Sequence, residues 1–336
     1  MGHEITDRYP DNRRMYKIIL RGFLFIIPIL GLNQLFLNAG YLFSTKNEYV
    51  LIRNLKTHQP GKINVKVFGS SRIENGISPY MMEMAFASKG IEARVFNCGI
   101  NGKYPGWGLN MQEEYFSKCD ILLVELIPDR NQMIGADQTP AKLSWGTYLD
   151  QCLSYHLNHV CVIHHLPNLV SDLRGRLPIK YMYTHKNGWT ETKYIRKENR
   201  IQRVREKVRS WAIENFKTKE YLQGQNLYID QVRNIEQRTG AKLVFIRMPV
   251  NGQTKYINDK ILEESRLVEN LRHAFPESIF IDATTDTRLS KFITIEESHL
   301  EGNTALLFSY CLAEVIVSDL STDLLQNDSM TGLTPD

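Results

Sequence analysis

Val65-Lys-Val-Phe-Gly-Ser-Ser-Arg72 is the stretch on which the fold turns. Ile63 to Phe68 is β-branched and aromatic, the composition of a short buried strand, and Gly69 ends it abruptly. Two serines and an arginine follow before the next helix. Open α/β sheets hold their ligands and reacting groups in small turns at the carboxyl ends of strands. Ser71 is therefore a candidate nucleophile. The competing reading of Gly-Ser-Ser is a turn with a helix cap.

Working outward, strand and helix patterns alternate. Ser78-Pro79 is a helix start with proline in the first turn, and the helix it opens stops before Gly90. Glu92–Asn97 reads as a second strand, closed by Asn97-Cys-Gly-Ile-Asn-Gly102. A helix over about 106–118 precedes a third strand, Ile121–Leu126, which ends in Ile127-Pro128-Asp129. Farther on come a helix through Tyr228, Val232 and Ile235, a strand at Lys242–Met248 and a helix over about 259–273. A short strand at Ser278–Ile281 and a helix over about 303–320 close the pattern. Strand, helix, strand at this spacing implies parallel pairing in an α/β fold. Residues 63–320 form the domain, 321–336 a polar tail without periodicity.

Residues 130–225 break the pattern and read as a mainly helical insertion. Leu149, Cys152, Leu153, Leu157, Val160 and Cys161 recur at helical steps, although Val160-Cys-Val-Ile163 also suits a short strand. His156, His159, His164 and His165 crowd around Cys161 in no closed zinc spacing, and no metal or organic cofactor is expected. Lys193, Arg196, Lys197, Arg200, Arg203, Arg205, Lys207 and Arg209 define a basic helix with the apolar stripe Ile201, Val204, Val208 and Trp211. That helix is either a solvated face or a surface for an anionic lipid or glycan.

The amino terminus has a different character. Residues 1–21 carry Arg8, Arg13, Arg14, Lys17 and Arg21, whereas 22–43 hold no charge and have the length to cross a bilayer, about 20 residues. The bias of basic residues toward the amino terminus keeps that end cytoplasmic and exports the rest. The expectation is a single-pass signal anchor followed by a polar linker, 44–62. A cleaved signal peptide is the alternative. Across 336 residues the hydrophobic share is 43%, the charged share 23% and the formal net charge +4, values of a globular protein and not of a nucleic-acid binder. The cysteines number 5, with no CxxC pair, so outside the cytoplasm one stays free or pairs between chains.

A serine nucleophile needs a base, usually histidine, and the histidine needs a group that fixes its tautomer. Glu296-Glu-Ser-His-Leu-Glu-Gly302 supplies His299, with Glu296 three residues earlier as orienter. Gly69-Ser-Ser71, Asn97-x-Gly99-x-x-Gly102 and Glu296-x-x-His299 resemble, in order and placement, the motif blocks of the SGNH (GDSL-type) hydrolase superfamily. The resemblance spans about 63–129 and 227–320. With the amino-terminal segment, it points to the cell-envelope branch that includes D-alanyl-lipoteichoic-acid biosynthesis proteins, O-acyltransferases and esterases.

The resemblance implies a flavodoxin-like three-layer sandwich and a serine esterase or acyltransferase acting on an acylated envelope glycan or lipid. It implies Ser71 as nucleophile, His299 as base, Glu296 as orienter, and an oxyanion hole from the Ser71 and Gly102 N–H groups. The sequence departs from the superfamily pattern in three places. Ser70 stands where aspartate is usual, and Glu296 stands for the usual aspartate. The expected oxyanion asparagine falls at Asp129, which as a carboxylate cannot donate, leaving Asn131 as substitute. Loss of one such donor costs typically about 10²–10³ in rate. A catalytically inactive envelope-binding scaffold is the alternative function.

Overall fold

The computed structural model describes residues 48–100, 118–127, 179–194, 219–295 and 297–320, with Leu149 and scattered positions between 16 and 28. The elements in chain order are α1 (Glu48–Lys56), β1 (Ile63–Phe68), α2 (Ser71–Gly76), α3 (Pro79–Ser88), β2 (Ala93–Asn97) and β3 (Ile121–Glu125). They continue with β4 (Ile179–Thr184), β5 (Thr190–Tyr194), α4 (Lys219–Thr239), β6 (Lys242–Arg247), α5 (Gly252–Ser265), α6 (Leu267–Ala274), β7 (Ile279–Asp282) and α7 (Gly302–Asp319).

Five strands form one parallel sheet in the order β2-β1-β3-β6-β7. Counted along the sheet, this is the doubly wound 2-1-3-4-5 order of flavodoxin, whose switch point lies between the first and third strands. Strand alternation divides the core into two layers. Phe68, Leu122, Val124, Leu243 and Phe245 point to the face covered by α1, α4, α5 and α6. Val65, Val67, Ile121, Leu123, Val244 and Ile246 point to the face covered by α2, α3 and α7. The parallel α/β sheet is therefore as the strand spacing predicts, and its two helical layers are as the family resemblance implies.

Local readings need correction in four places. Within the segment 44–62, taken as a linker, Glu48–Lys56 is a helix whose Val50, Leu51, Ile52 and Leu55 are buried in or against the core. Its charges, Glu48, Arg53 and Lys56, hid an amphipathic stripe. The helix expected to start only at Ser78-Pro79 is preceded by α2, which starts at Ser71. Pro79 disfavours helical geometry at Ser78 and separates the two. The helix expected over 259–273 is two, α5 and α6, broken at Arg266 in the left-handed region (φ 53°).

The fourth correction concerns Lys193, expected in the basic helix of the insertion, of which only Leu149, 179–194 and 219–225 are described. Residues 179–194 form the antiparallel hairpin β4–β5, so Lys193 lies on a strand. Asn187-Gly188 sits at the turn, with Gly188 at φ 88°, the kind of position that favours glycine. The hairpin is not isolated. Trp189 Nε1 donates to Asn75 O at 2.9 Å, Thr190 Oγ1 donates to Glu74 Oε1 at 2.7 Å, and Asn97 N donates to Asn187 O at 2.9 Å. These bonds tie it to the carboxyl end of α2 and to the end of β2.

The rest of the basic run, the histidine group around Cys161, the expected helix up to residue 117 and the tail 321–336 lie outside the described residues. Cys98, Cys119 and Cys311 are in no disulfide, and the first two are buried. No helix among the described residues is long and apolar enough to cross a membrane, and most of 22–43 lies outside them.

Candidate active site

The site forms where β1 ends, at the switch point of the sheet. Ser70 is the N-cap of α2: its backbone is extended (φ −83°, ψ −161°) and its Oγ accepts from Arg72 N at 3.3 Å. Ser71 is then the first helical residue, and no earlier turn of that helix can take its N–H. The turn is tightly enclosed. A Cβ at Gly69 would collide with Ile73 Cγ1 and Glu125 Oε2.

The turn after β2 braces α2 from the side. Asn97 Nδ2 donates to Ile73 O at 2.7 Å and Ile77 O at 2.8 Å, and Asn97 Oδ1 accepts from Gly99 N at 3.0 Å. Ile100 N donates to Gly69 O at 3.0 Å. A Cβ on Gly99 would lie 2.7 Å from Glu74 N, so the two turns approach too closely for any other residue there. Asn97 and Gly99 thus shape the turn that presents Ser71.

His299 arrives from the loop between β7 and α7. Its backbone closes a narrow turn: Ile295 N donates to His299 O at 2.7 Å and His299 N donates to Ile295 O at 3.1 Å. Glu297, at the tip, adopts φ 64°. Its Oε2 accepts from Thr254 N at 2.9 Å and from Thr254 Oγ1 at 3.1 Å, and its carbonyl accepts from Asn251 N at 3.1 Å. The loop is thereby fastened to the first turn of α5. On the other side of His299, Leu300 is buried in the core layer that also holds Ile73 and Ile77 of the α2 segment.

With both segments held, Ser71 Oγ and His299 Nε2 lie 2.9 Å apart. Ser298 Oγ lies 3.0 Å from His299 Nδ1. If Nδ1 carries the ring proton and donates it to Ser298, Nε2 presents its lone pair to the Ser71 hydroxyl. The structure thus brings together Ser71 and His299, 228 positions apart in sequence. Glu296, Gly102 and Asn131 lie outside the described residues. No group of three metal-ligating side chains occurs among the described residues.

The sequence reading missed Glu125, the last residue of β3. It is 1% exposed, and its Oε2 accepts from Ser70 N at 2.7 Å. Burial pushes its carboxyl above the usual range, opposed by the nearby Arg72 charge and by the bonds from Ser70. Oε1 is buried without a hydrogen-bond partner among the described residues. Tyr228 stands close by, its hydroxyl 3.5 Å from Glu125 O, and burial pushes its phenol up, as does the neighbouring carboxylate. The available signal was a charged residue ending an otherwise apolar strand, Ile121-Leu-Leu-Val-Glu125.

No protein-family model matches this chain, and no curated protein matches it. Among solved structures it is similar to a provisionally assigned acylhydrolase from Bacteroides fragilis, at 11% identity and a TM-score of 0.36, over 80% of this chain and 93% of that one. It is also similar to an acetyl xylan esterase from the rumen bacterium Butyrivibrio proteoclasticus, at 8% identity and a TM-score of 0.32, over 79% of this chain and 66% of that one.

Proposed function

We propose that this protein is a serine esterase or O-acyltransferase of the SGNH type, anchored to a membrane and acting on an acylated cell-envelope glycan or lipid. The observation that carries the proposal is the 2.9 Å approach of Ser71 Oγ to His299 Nε2 at the switch point of a parallel sheet.

In the reaction, Ser71 Oγ attacks the ester carbonyl carbon while its proton passes to His299 Nε2. The tetrahedral intermediate carries its negative charge on the former carbonyl oxygen, where the Ser71 N–H donates a hydrogen bond. Collapse breaks the bond to the leaving alcohol, which takes the proton from Nε2 and departs, leaving an acyl-serine. Water or a carbohydrate hydroxyl then gives a proton to His299 and attacks the same carbon. Release of Ser71 yields a carboxylic acid or a new ester. Ser298 Oγ, 3.0 Å from Nδ1, holds the Nδ1 proton, and the carboxylate assigned to stabilise the imidazolium is that of Glu296, three residues earlier in sequence.

The membrane part of the proposal rests on the uncharged run 22–43 and on its described start. Leu24 and Ile27 are helical yet 63% and 62% exposed, apolar side chains left uncovered by the domain. A bilayer is the environment that covers such a segment.

Ser71→Ala and His299→Ala should each abolish hydrolysis of a small acetyl ester while the circular dichroism spectrum stays that of wild type. A fluorophosphonate probe should label wild type at Ser71 and fail to label S71A. Equal turnover in either variant contradicts the catalytic roles, and an unlabelled wild type points instead to a binding role for this domain. Release of the full chain by alkaline carbonate, without detergent, contradicts the anchor.

A further inference from the structure

The geometry points to Glu125 as the positioning residue of the nucleophile turn, setting the direction of Ser71 Oγ through the N–H of Ser70. The inference deepens the proposed reaction and rests on Ser71 being its nucleophile.

β1 and β3 are hydrogen-bonded neighbours, Phe68 pairing with Val124, so the ends of the two strands lie side by side. One step beyond that pair, Glu125 carries its carboxylate across to the chain emerging from β1. Oε2 accepts from Ser70 N at 2.7 Å, a short contact of the kind that charge or burial strengthens. The Ser70 N–H belongs to the Gly69–Ser70 peptide plane, so this bond fixes that plane and the Ser70 Cα at its end, one residue before the nucleophile.

Two further features would be hard to explain if Glu125 only filled space. Gly69 leaves room for the carboxylate oxygen, since a Cβ there would collide with it. Oε1 has no partner among the described residues, although the group is buried. A buried carboxyl with one oxygen unmet among the described residues costs more to fold than an apolar side chain of the same size. A methionine of similar length would fill the space without that cost, but it would leave Ser70 N–H unmet. What the glutamate contributes is one acceptor oxygen at one place.

Position matters here because the rate depends on the Ser71 approach. A misplacement of roughly 1 Å costs about 10²-fold. Three variants separate an acceptor role from a packing role. Glu125→Gln keeps an acceptor oxygen at the same reach. Glu125→Asp keeps the carboxylate but draws it back by one methylene. Glu125→Met keeps the length and removes the acceptor.

The test is the second-order rate of fluorophosphonate labelling of the full-length protein in detergent, with melting temperature alongside and kcat and KM on a small acetyl ester. The expected result is near-wild-type labelling for E125Q, and slowing by about 10²-fold for E125D and E125M. The loss should fall in kcat with KM unchanged, without a parallel drop in melting temperature. Wild-type labelling in E125D and E125M overturns the inference while leaving Ser71 as nucleophile. E125Q as slow as E125D overturns it too, because the acceptor is retained. Should E125M fail to fold, the contrast between E125Q and E125D decides alone. A wild type that the probe does not label overturns both this inference and the reaction it rests on.

Discussion

At the scale of single residues, the histidine loop is held by Glu297, not by its own length. Asn251, the N-cap of α5, makes no side-chain cap bond, and the Glu297 carboxylate meets the Thr254 N–H of that helix's first turn from across space. A negative group there also suits the helix dipole. Glu297→Ala should therefore lose about 1–3 kcal/mol of stability, the cost of leaving a buried donor unmet. It should also lower kcat, since His299 lies two positions farther along the same turn. Glu297→Gly provides the control: it relieves the left-handed backbone, worth about 1–2 kcal/mol, yet removes the same carboxylate. Urea melts and ester kinetics on both variants check this. If Ala and Gly variants turn over as wild type, the loop is held by something other than this contact. The sequence motif pointed to His299 and Ser71 because nucleophile and base must be particular residue types. It did not point to Glu297, whose partner sits 43 positions away and whose role is set by fold alone.

At the scale of elements, the β4–β5 hairpin acts as a clamp on α2. Six residues of helix are too few to stand alone, so α2 depends on its neighbours. Trp189 supplies one of them, 5% exposed in the same core layer as Ile73 and Ile77, with its indole N–H on Asn75 O. Trp189→Ala should cost about 3–5 kcal/mol in urea unfolding. Trp189→Phe, which keeps a ring but leaves Asn75 O without that donor, should cost about 1–3 kcal/mol. Equal midpoints for wild type and W189A would show that the hairpin merely rests on the domain. The hairpin was readable in principle: Lys186-Asn-Gly188 between Tyr-Met-Tyr-Thr and Thr-Glu-Thr-Lys-Tyr is a hairpin signal. It was overlooked because the surrounding segment follows helical spacing. The sheet strands were readable for a simpler reason. A strand buried on both faces is an unbroken apolar run, and Ile121–Val124 and Leu243–Ile246 have no other use. The break at Arg266 had no such signal, since nothing in Ser-Arg-Leu marks a left-handed residue.

At the scale of the whole molecule, one ionisable group sits where the two-layer core has no place for charge. Lys66, in the middle of β1, is 0% exposed, and its Nζ donates to Leu55 O at the carboxyl end of α1. Burial pulls its amine below its ordinary value of 10.5, against the opposing pull of the Cys98 and Cys119 thiols. The sign of the linkage follows from proton counting. Between the lowered value and 10.5 the unfolded chain holds a proton at this position that the folded chain has released. Stability contributed by this group therefore rises with pH across that window, by at most about 1.4 kcal/mol per pH unit. Below the window the folded state carries the full penalty of a buried ammonium. Cys119 acts oppositely: burial pushes its thiol to about 12, so the unfolded chain loses its proton first and stability falls above 9.0. The two effects overlap in alkaline solution, and wild type alone cannot separate them. Lys66→Met can, because it keeps the length of the side chain and removes the amine. The free energy of urea unfolding of wild type minus that of K66M should become more favourable to wild type from neutral pH to 10.5. A difference that stays flat over that range would mean that Lys66 keeps its proton in the folded protein. The core would then hold an ammonium ion between β1 and α1, held by the Leu55 carbonyl and its neighbours.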